Sequence, residues 1–65
     1  MIGRLAGTLV EIEGNTLLLD VGGIGYEIEV SANVLGAGPL IGAELILYTH
    51  FVVREDAQLL FGFCD

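Results

Sequence analysis

Residues 16–30 read TLLLDVGGIGYEIEV, and two features of this stretch set the fold class. From Gly25 to Val30 the chain alternates: Tyr26, Ile28 and Val30 are apolar, whereas Gly25, Glu27 and Glu29 are not. A period of two puts each set on its own face of an extended chain, so this is a half-buried strand with a carboxylate-bearing outer face. Thr16 to Val21 is a second short strand, joined to it through Gly22-Gly23. A two-residue hairpin turn needs positive φ, which glycine adopts without steric penalty. The fold starts from an antiparallel hairpin.

Upstream, Gly14-Asn15 is a second turn of the same kind, reached by a first strand from about Ile2 to Ile12. Gly3 and Gly7 lie inside that strand, and glycine there marks a bulge or a sharp bend. A long, bent first strand lets a small barrel turn a corner and close. Downstream, Ser31 is placed to cap a short helical turn over Ala32 to Leu35, with Gly36 as its stop. Glu44 to Arg54 (ELILYTHFVVR) is β-branched and aromatic, hence a fourth strand, and Ala57 to Phe63 (AQLLFGF) is a fifth. The turn between them is Arg54-Glu55-Asp56-Ala57. A three-stranded meander, a short helical connection and a hairpin give an all-β fold: a five-stranded OB-fold barrel occupying residues 1–65 as one domain.

The last two strands are apolar on both faces. Leu45, Leu47, Phe51 and Val53 share one side of strand four, while Ile46, Tyr48 and Val52 share the other. In strand five, Leu59, Phe61 and Phe63 oppose Leu60. A barrel has one inside, so the surplus face meets water, another domain or another copy of the chain. Because these residues are contiguous rather than scattered, a contact surface and a homo-oligomer are expected.

Composition narrows the function. Sixty-five residues hold one core, and a domain of this size buries only roughly 60% of its unfolded surface. Arg4 and Arg54 are the only basic residues against nine acidic ones, a net charge of −7 without a single lysine. Phosphate neutralisation supplies most non-specific DNA affinity, so nucleic-acid binding by this stretch alone is not expected. With 54% hydrophobic and 17% charged residues, the chain is not disordered by composition. Cys64 is the sole cysteine, which excludes an internal disulfide. The longest uncharged stretch, Val30 to Ala43, is broken by Asn33, three glycines and Pro39, and is too short for a bilayer. Gly3, Gly7 and Thr8 interrupt any leader-like run, and Ile2 removes the myristoylation signal, so no membrane partner and a cytoplasmic location are expected.

Catalytic material is sparse. His50 has no second histidine for a metal pair and sits inside a strand, where a packed or half-exposed structural role outweighs a general base. Cys64 has no neighbouring cation to activate it. The glycines between Asp20 and Glu29 precede a strand, not a helix, so they are hairpin glycines and not a phosphate loop. No enzyme, cofactor or metal is expected. What stands out is Glu55-Asp56, two adjacent carboxylates at a hairpin tip whose arms are almost uncharged. Acidic residues are common in turns because they solvate well, so on local sequence a solvated turn and a charged probe both remain open.

Three segments carry a resemblance over essentially the whole chain: Met1-Ile-Gly-Arg-Leu-Ala-Gly7, Leu19-Asp-Val-Gly-Gly-Ile-Gly-Tyr-Glu27 and, most specifically, Thr49-His-Phe-Val-Val-Arg-Glu-Asp-Ala-Gln-Leu-Leu-Phe-Gly-Phe63. Together they resemble the N-terminal domain family of RuvA, the bacterial subunit that recognises Holliday junctions in DNA recombination and repair. Residues 32–43 carry no matching signature, and Ala6 stands where the family often has a basic residue, which weakens any phosphate contact by this strand. The resemblance implies an OB-fold domain that helps build a fourfold-symmetric homotetramer. It implies that Glu55 and Asp56 are an acidic pin projecting where the junction strands exchange, with Arg54 either supporting the hairpin or meeting a phosphate. It further implies a following helix-hairpin-helix domain that holds the duplex arms, a C-terminal domain that contacts the RuvB motor, and RuvC resolvase as another partner. The other readings are a generic OB- or SH3-like oligomerisation module without a DNA role, and direct single-strand binding. The second of these wants a cationic groove with exposed aromatics, which two arginines do not make.

Overall fold

The computed structural model describes residues 3–64. Five strands and one short helix follow in order: β1 (Arg4–Glu13), β2 (Thr16–Val21), β3 (Ile24–Val30), α1 (Ala32–Gly36), β4 (Glu44–Val53) and β5 (Gln58–Phe63). They form a closed barrel in the order β1-β2-β3-β5-β4. The all-β, five-stranded barrel with one short helical connection is thus as the sequence led us to expect.

The β2–β3 hairpin pairs Thr16 with Glu29 at its open end and Val21 with Ile24 at the turn. Gly22 and Gly23 have φ of 62° and 93°, the two positive values that a type I′ turn requires. The Gly23 N–H donates to Asp20 Oδ1 at 2.9 Å, so the Asp20 side chain braces the turn from the strand end. Asp20→Ala removes that bond at an exposed position and is expected to cost about 1 kcal/mol in urea denaturation. Asp20→Asn, which keeps the acceptor, should recover most of it.

Barrel closure depends on β1 serving two neighbours. Its residues Arg4 to Thr8 pair with β4, and Thr8 to Glu13 pair with β2. The expected start at Ile2 lies outside the described residues. The bulge is not at a glycine: the register with β2 shifts between Leu9 and Glu11, leaving Val10 unpaired and exposed. Gly7 has a different task. A Cβ there would fall on the Asp20 carbonyl oxygen and within 2.8 Å of Val21 Cγ2, so glycine permits β1 to lie against β2 where the strand changes partner. The final contact is parallel, Glu29 with Phe61 and Val30 with Gly62, and the segment through α1 and β4 supplies the crossover a parallel pair needs.

Every strand contributes to the core: Leu5 and Leu9 from β1, Leu17 and Leu19 from β2, Ile28 and Val30 from β3, Leu47 from β4 and Leu60 from β5, with Val34 from α1. Ser31 occupies the N-cap position with extended backbone, but its side chain makes no capping bond; its carbonyl accepts from Val34 and Leu35 N–H instead. The helix ends at Gly36, as expected, but the positive φ that follows it comes at Gly38 (73°), after the N–H groups of Ala37 and Gly38 have closed on the carbonyls of Val34 and Leu35.

Candidate functional site: an acidic tip on an apolar hairpin

Strands β4 and β5 pair from Tyr48 with Phe63 to Val53 with Gln58. Beyond that pair the Arg54 N–H donates to the Ala57 carbonyl at 2.7 Å, which closes the turn. Both strands therefore end one residue short of the expected Arg54 and Ala57, because these two residues belong to the turn. Along β4, Leu47 is buried and Leu45 and Phe51 are half-buried, in phase with the expected inner face. Val53 shares that phase yet is 64% exposed, since the hairpin has by then run past the barrel wall. In β5, Leu60 and Gly62 point inward, and a Cβ on Gly62 would come within 2.6 Å of Ile28 Cγ2.

The outer face of the hairpin is a band of cross-strand pairs: Tyr48 beside Phe63, His50 beside Phe61, and Val52 beside Leu59. Tyr48 and Phe63 are exposed, and Phe61, Val52 and Leu59 are half-buried. This band leads to the turn, where Arg54, Glu55 and Asp56 are all exposed. The side-chain hydrogen bonds of Thr8 to Glu44 and of Gly23 to Asp20 lie elsewhere. The structure thus brings Arg54, Glu55 and Asp56 together on one projecting tip and leaves both carboxylates to water. His50 lies outside the tip, on the apolar band, and Cys64 is a free, exposed thiol at the far end of β5. No group of side chains with metal-holding geometry occurs among the described residues.

The sequence reading missed a second concentration of charge. The register places Glu11 opposite Leu18 and Leu18 opposite Glu27, and these residues with Glu13 and Thr16 line a shallow depression on the outer face of β1–β3. The alternation of Glu27 and Glu29 had marked one strand of that face, but the convergence of three glutamates depends on strand register, which no local pattern states. No helix among the described residues is long and apolar enough to cross a membrane.

Residues 1–62 match the family model described as the RuvA N-terminal domain. The chain belongs to the RuvA N-terminal domain family. Among curated relatives it is 60% identical over 63 residues to the Holliday junction branch migration complex subunit RuvA of Shewanella amazonensis, covering 97% of this chain and 31% of that protein. The same-named subunit of Vibrio cholerae is 59% identical over the same shares. That of Leptothrix cholodnii is 57% identical, with 97% of this chain and 33% of the relative aligned. The chain therefore spans about a third of the length of the RuvA proteins it matches. Met1 to Gly7, Leu19 to Glu27 and nearly all of Thr49 to Phe63, the segments that carried the resemblance, fall within the RuvA family match.

Proposed function

We propose that this chain is the non-catalytic assembly and junction-discrimination domain of a RuvA subunit, acting on Holliday junctions within the branch-migration machinery. The observation that carries the proposal is the hairpin itself: two solvated carboxylates, Glu55 and Asp56, stand at the end of an arm whose outer face is apolar. In this reading the band of Tyr48, Phe61 and Phe63 packs against other copies in a homotetramer. Four tips then gather near the symmetry axis, where the junction arms diverge. A continuous duplex crossing the centre would meet carboxylates from four copies, whereas an open junction passes around them. Like-charge opposition lowers affinity for the wrong DNA form, so the tip contributes selectivity and strand guidance at a cost in total binding.

The shortage of cations agrees with this division of labour. A domain with only Arg4 and Arg54 as basic residues holds few phosphates, so the arms are gripped by parts of the RuvA protein outside residues 1–65. Arg54, exposed beside the two carboxylates, is free to meet a phosphate at the edge of the crossover. The RuvB motor and RuvC are partners of the whole assembly. A cytoplasmic, DNA-side location follows from this role.

The test is a gel-shift comparison with the full-length protein. It should bind a four-way junction at lower concentration than a linear duplex of the same arm sequence and, by light scattering at high micromolar concentration, be a tetramer. Equal affinity for the two DNA forms would remove the junction reading. A monomer would remove the assembly role of the apolar band.

A further inference from the structure

Val53 ends β4 with 64% of its surface exposed, immediately before Arg54, Glu55 and Asp56. Its cross-strand partner is Gln58, which is exposed too, and directly paired residues share one face of a hairpin. Two residues further in on the same face, Phe51 pairs with Leu60; Leu60 belongs to the core and Phe51 packs against it. Val53 and Gln58 are thus the outermost layer of a face whose next layer is fixed in the barrel. The band of Tyr48, Phe61 and Phe63 lies on the opposite face, so this pair is separate from the surface assigned to assembly.

The charge around the pair selects its occupant. Glu55 and Asp56 follow Val53 closely, at most roughly 10 Å along extended chain. On the barrel side, Gln58 borders a notch of about 190 Å³ whose other lining residues include Thr16, Glu27 and Glu29, and both of these glutamates are exposed. Carboxylates therefore stand on either side of an uncharged pair. A phosphate is opposed from both directions, and the part of DNA that carries no charge is the base. A base offers an apolar face and an edge of donors and acceptors. Val53 matches the face, and the Gln58 amide, at once donor and acceptor, matches the edge. Apolar side chains that enter a base step unstack it.

We propose that Val53 and Gln58 form a wedge that receives the last base pair of a junction arm as it opens at the crossover. The inference rests on the junction reading and deepens it. Glu55 and Asp56 govern where the phosphate backbone can run, and Val53 packs on the base left without a stacking neighbour. Gln58 hydrogen-bonds the edge that has lost its pairing partner. Phe51 and Leu60, packed behind the pair, keep the wedge in place.

The test uses full-length protein and a four-way junction carrying 2-aminopurine next to the crossover. Binding should raise its fluorescence at least about twofold, since a wedge unstacks the step it enters. Val53→Ser should remove most of that rise, Val53→Ile should keep it, and Gln58→Leu should reduce it. Junction affinity by gel shift should change less than about threefold, because phosphate contacts made elsewhere in the subunit set the position of the arms. Val53→Thr, which keeps the side-chain shape, should show the same loss without disturbing the fold. An unchanged rise in both Val53→Ser and Val53→Thr would overturn the proposal. No rise with wild-type protein that still prefers the junction to duplex would remove the wedge and leave the junction reading standing, whereas equal binding of the two DNA forms strikes both. Loss of the tetramer in Val53→Ser by light scattering would put a neighbouring copy on the pair and overturn the wedge equally.

Discussion

Gly7→Val is expected to leave the barrel unfolded. The new Cβ would fall on the Asp20 carbonyl oxygen, with Val21 Cγ2 at 2.8 Å and the Asp20 carbonyl carbon at 3.0 Å. Two of these three atoms are β2 backbone, held in register on both sides by pairing with β1 and β3, so neither can swing aside. Overpacking a core costs about 1–3 kcal/mol where side chains can yield, and more where backbone must move. Total stability for a domain of this length is only about 3–10 kcal/mol, so a loss near 4 kcal/mol removes most of it. Circular dichroism should show loss of the cooperative thermal transition. Two controls bracket the effect. Gly25→Ala brings its Cβ to 3.1 Å from Leu18 Cδ1, the end of a flexible side chain, and should cost far less. Gly36→Ala meets nothing within 4 Å inside a helix and should raise stability by about 0.5–1 kcal/mol. A Gly7→Val domain that melts like the wild type would mean that β1 does not approach β2 as described.

The second large effect is on selectivity. Full-length protein carrying Glu55→Gln and Asp56→Asn together should bind linear duplex at least about tenfold more tightly, with much less change for the four-way junction. At ~10 Å in water one carboxylate opposes one phosphate by about 0.4 kcal/mol. Eight carboxylates in the proposed tetramer would bring this to about 3 kcal/mol, and physiological salt reduces it to about 1 kcal/mol. Several phosphates lie within that range on a duplex crossing the centre, which carries the effect past the 1.4 kcal/mol that equals tenfold. The isosteric amides keep the shape of the turn and its Arg54 to Ala57 bond, so the readout is charge alone. The gap between variant and wild type should narrow as salt rises. Unchanged duplex affinity across a salt series would return Glu55 and Asp56 to the status of an ordinary solvated turn.

How far the chain could be read in advance follows from which interactions are local. The turns at Gly14-Asn15 and Gly22-Gly23 and the alternation from Gly25 to Val30 rest on one residue's φ or on neighbours two apart, and the structure has each where the pattern placed it. The end of α1 at Gly36 was legible too, but not its cap: the positive φ is at Gly38, because a one-turn helix closes where its last carbonyls find donors. The tip residues were legible as a pair of charges on a hairpin. Their solvation was not, because it depends on how far β4 and β5 outrun the barrel, as the exposure of Val53 shows.

By itself, then, the sequence determined the strands, their turns and the acidic pair between the last two, since backbone preference and period-two patterning act within a few residues. Only the tertiary structure decided that Val10 rather than a glycine is the bulge, that Gly7 is a point of close approach, that three glutamates converge on one face, and that Val53 and Gln58 stand as an exposed pair beyond the barrel wall. The physical reason is common to all four. Each depends on which strands lie side by side and in what register, and barrel closure through the parallel β3–β5 contact joins residues as far apart as Val30 and Gly62.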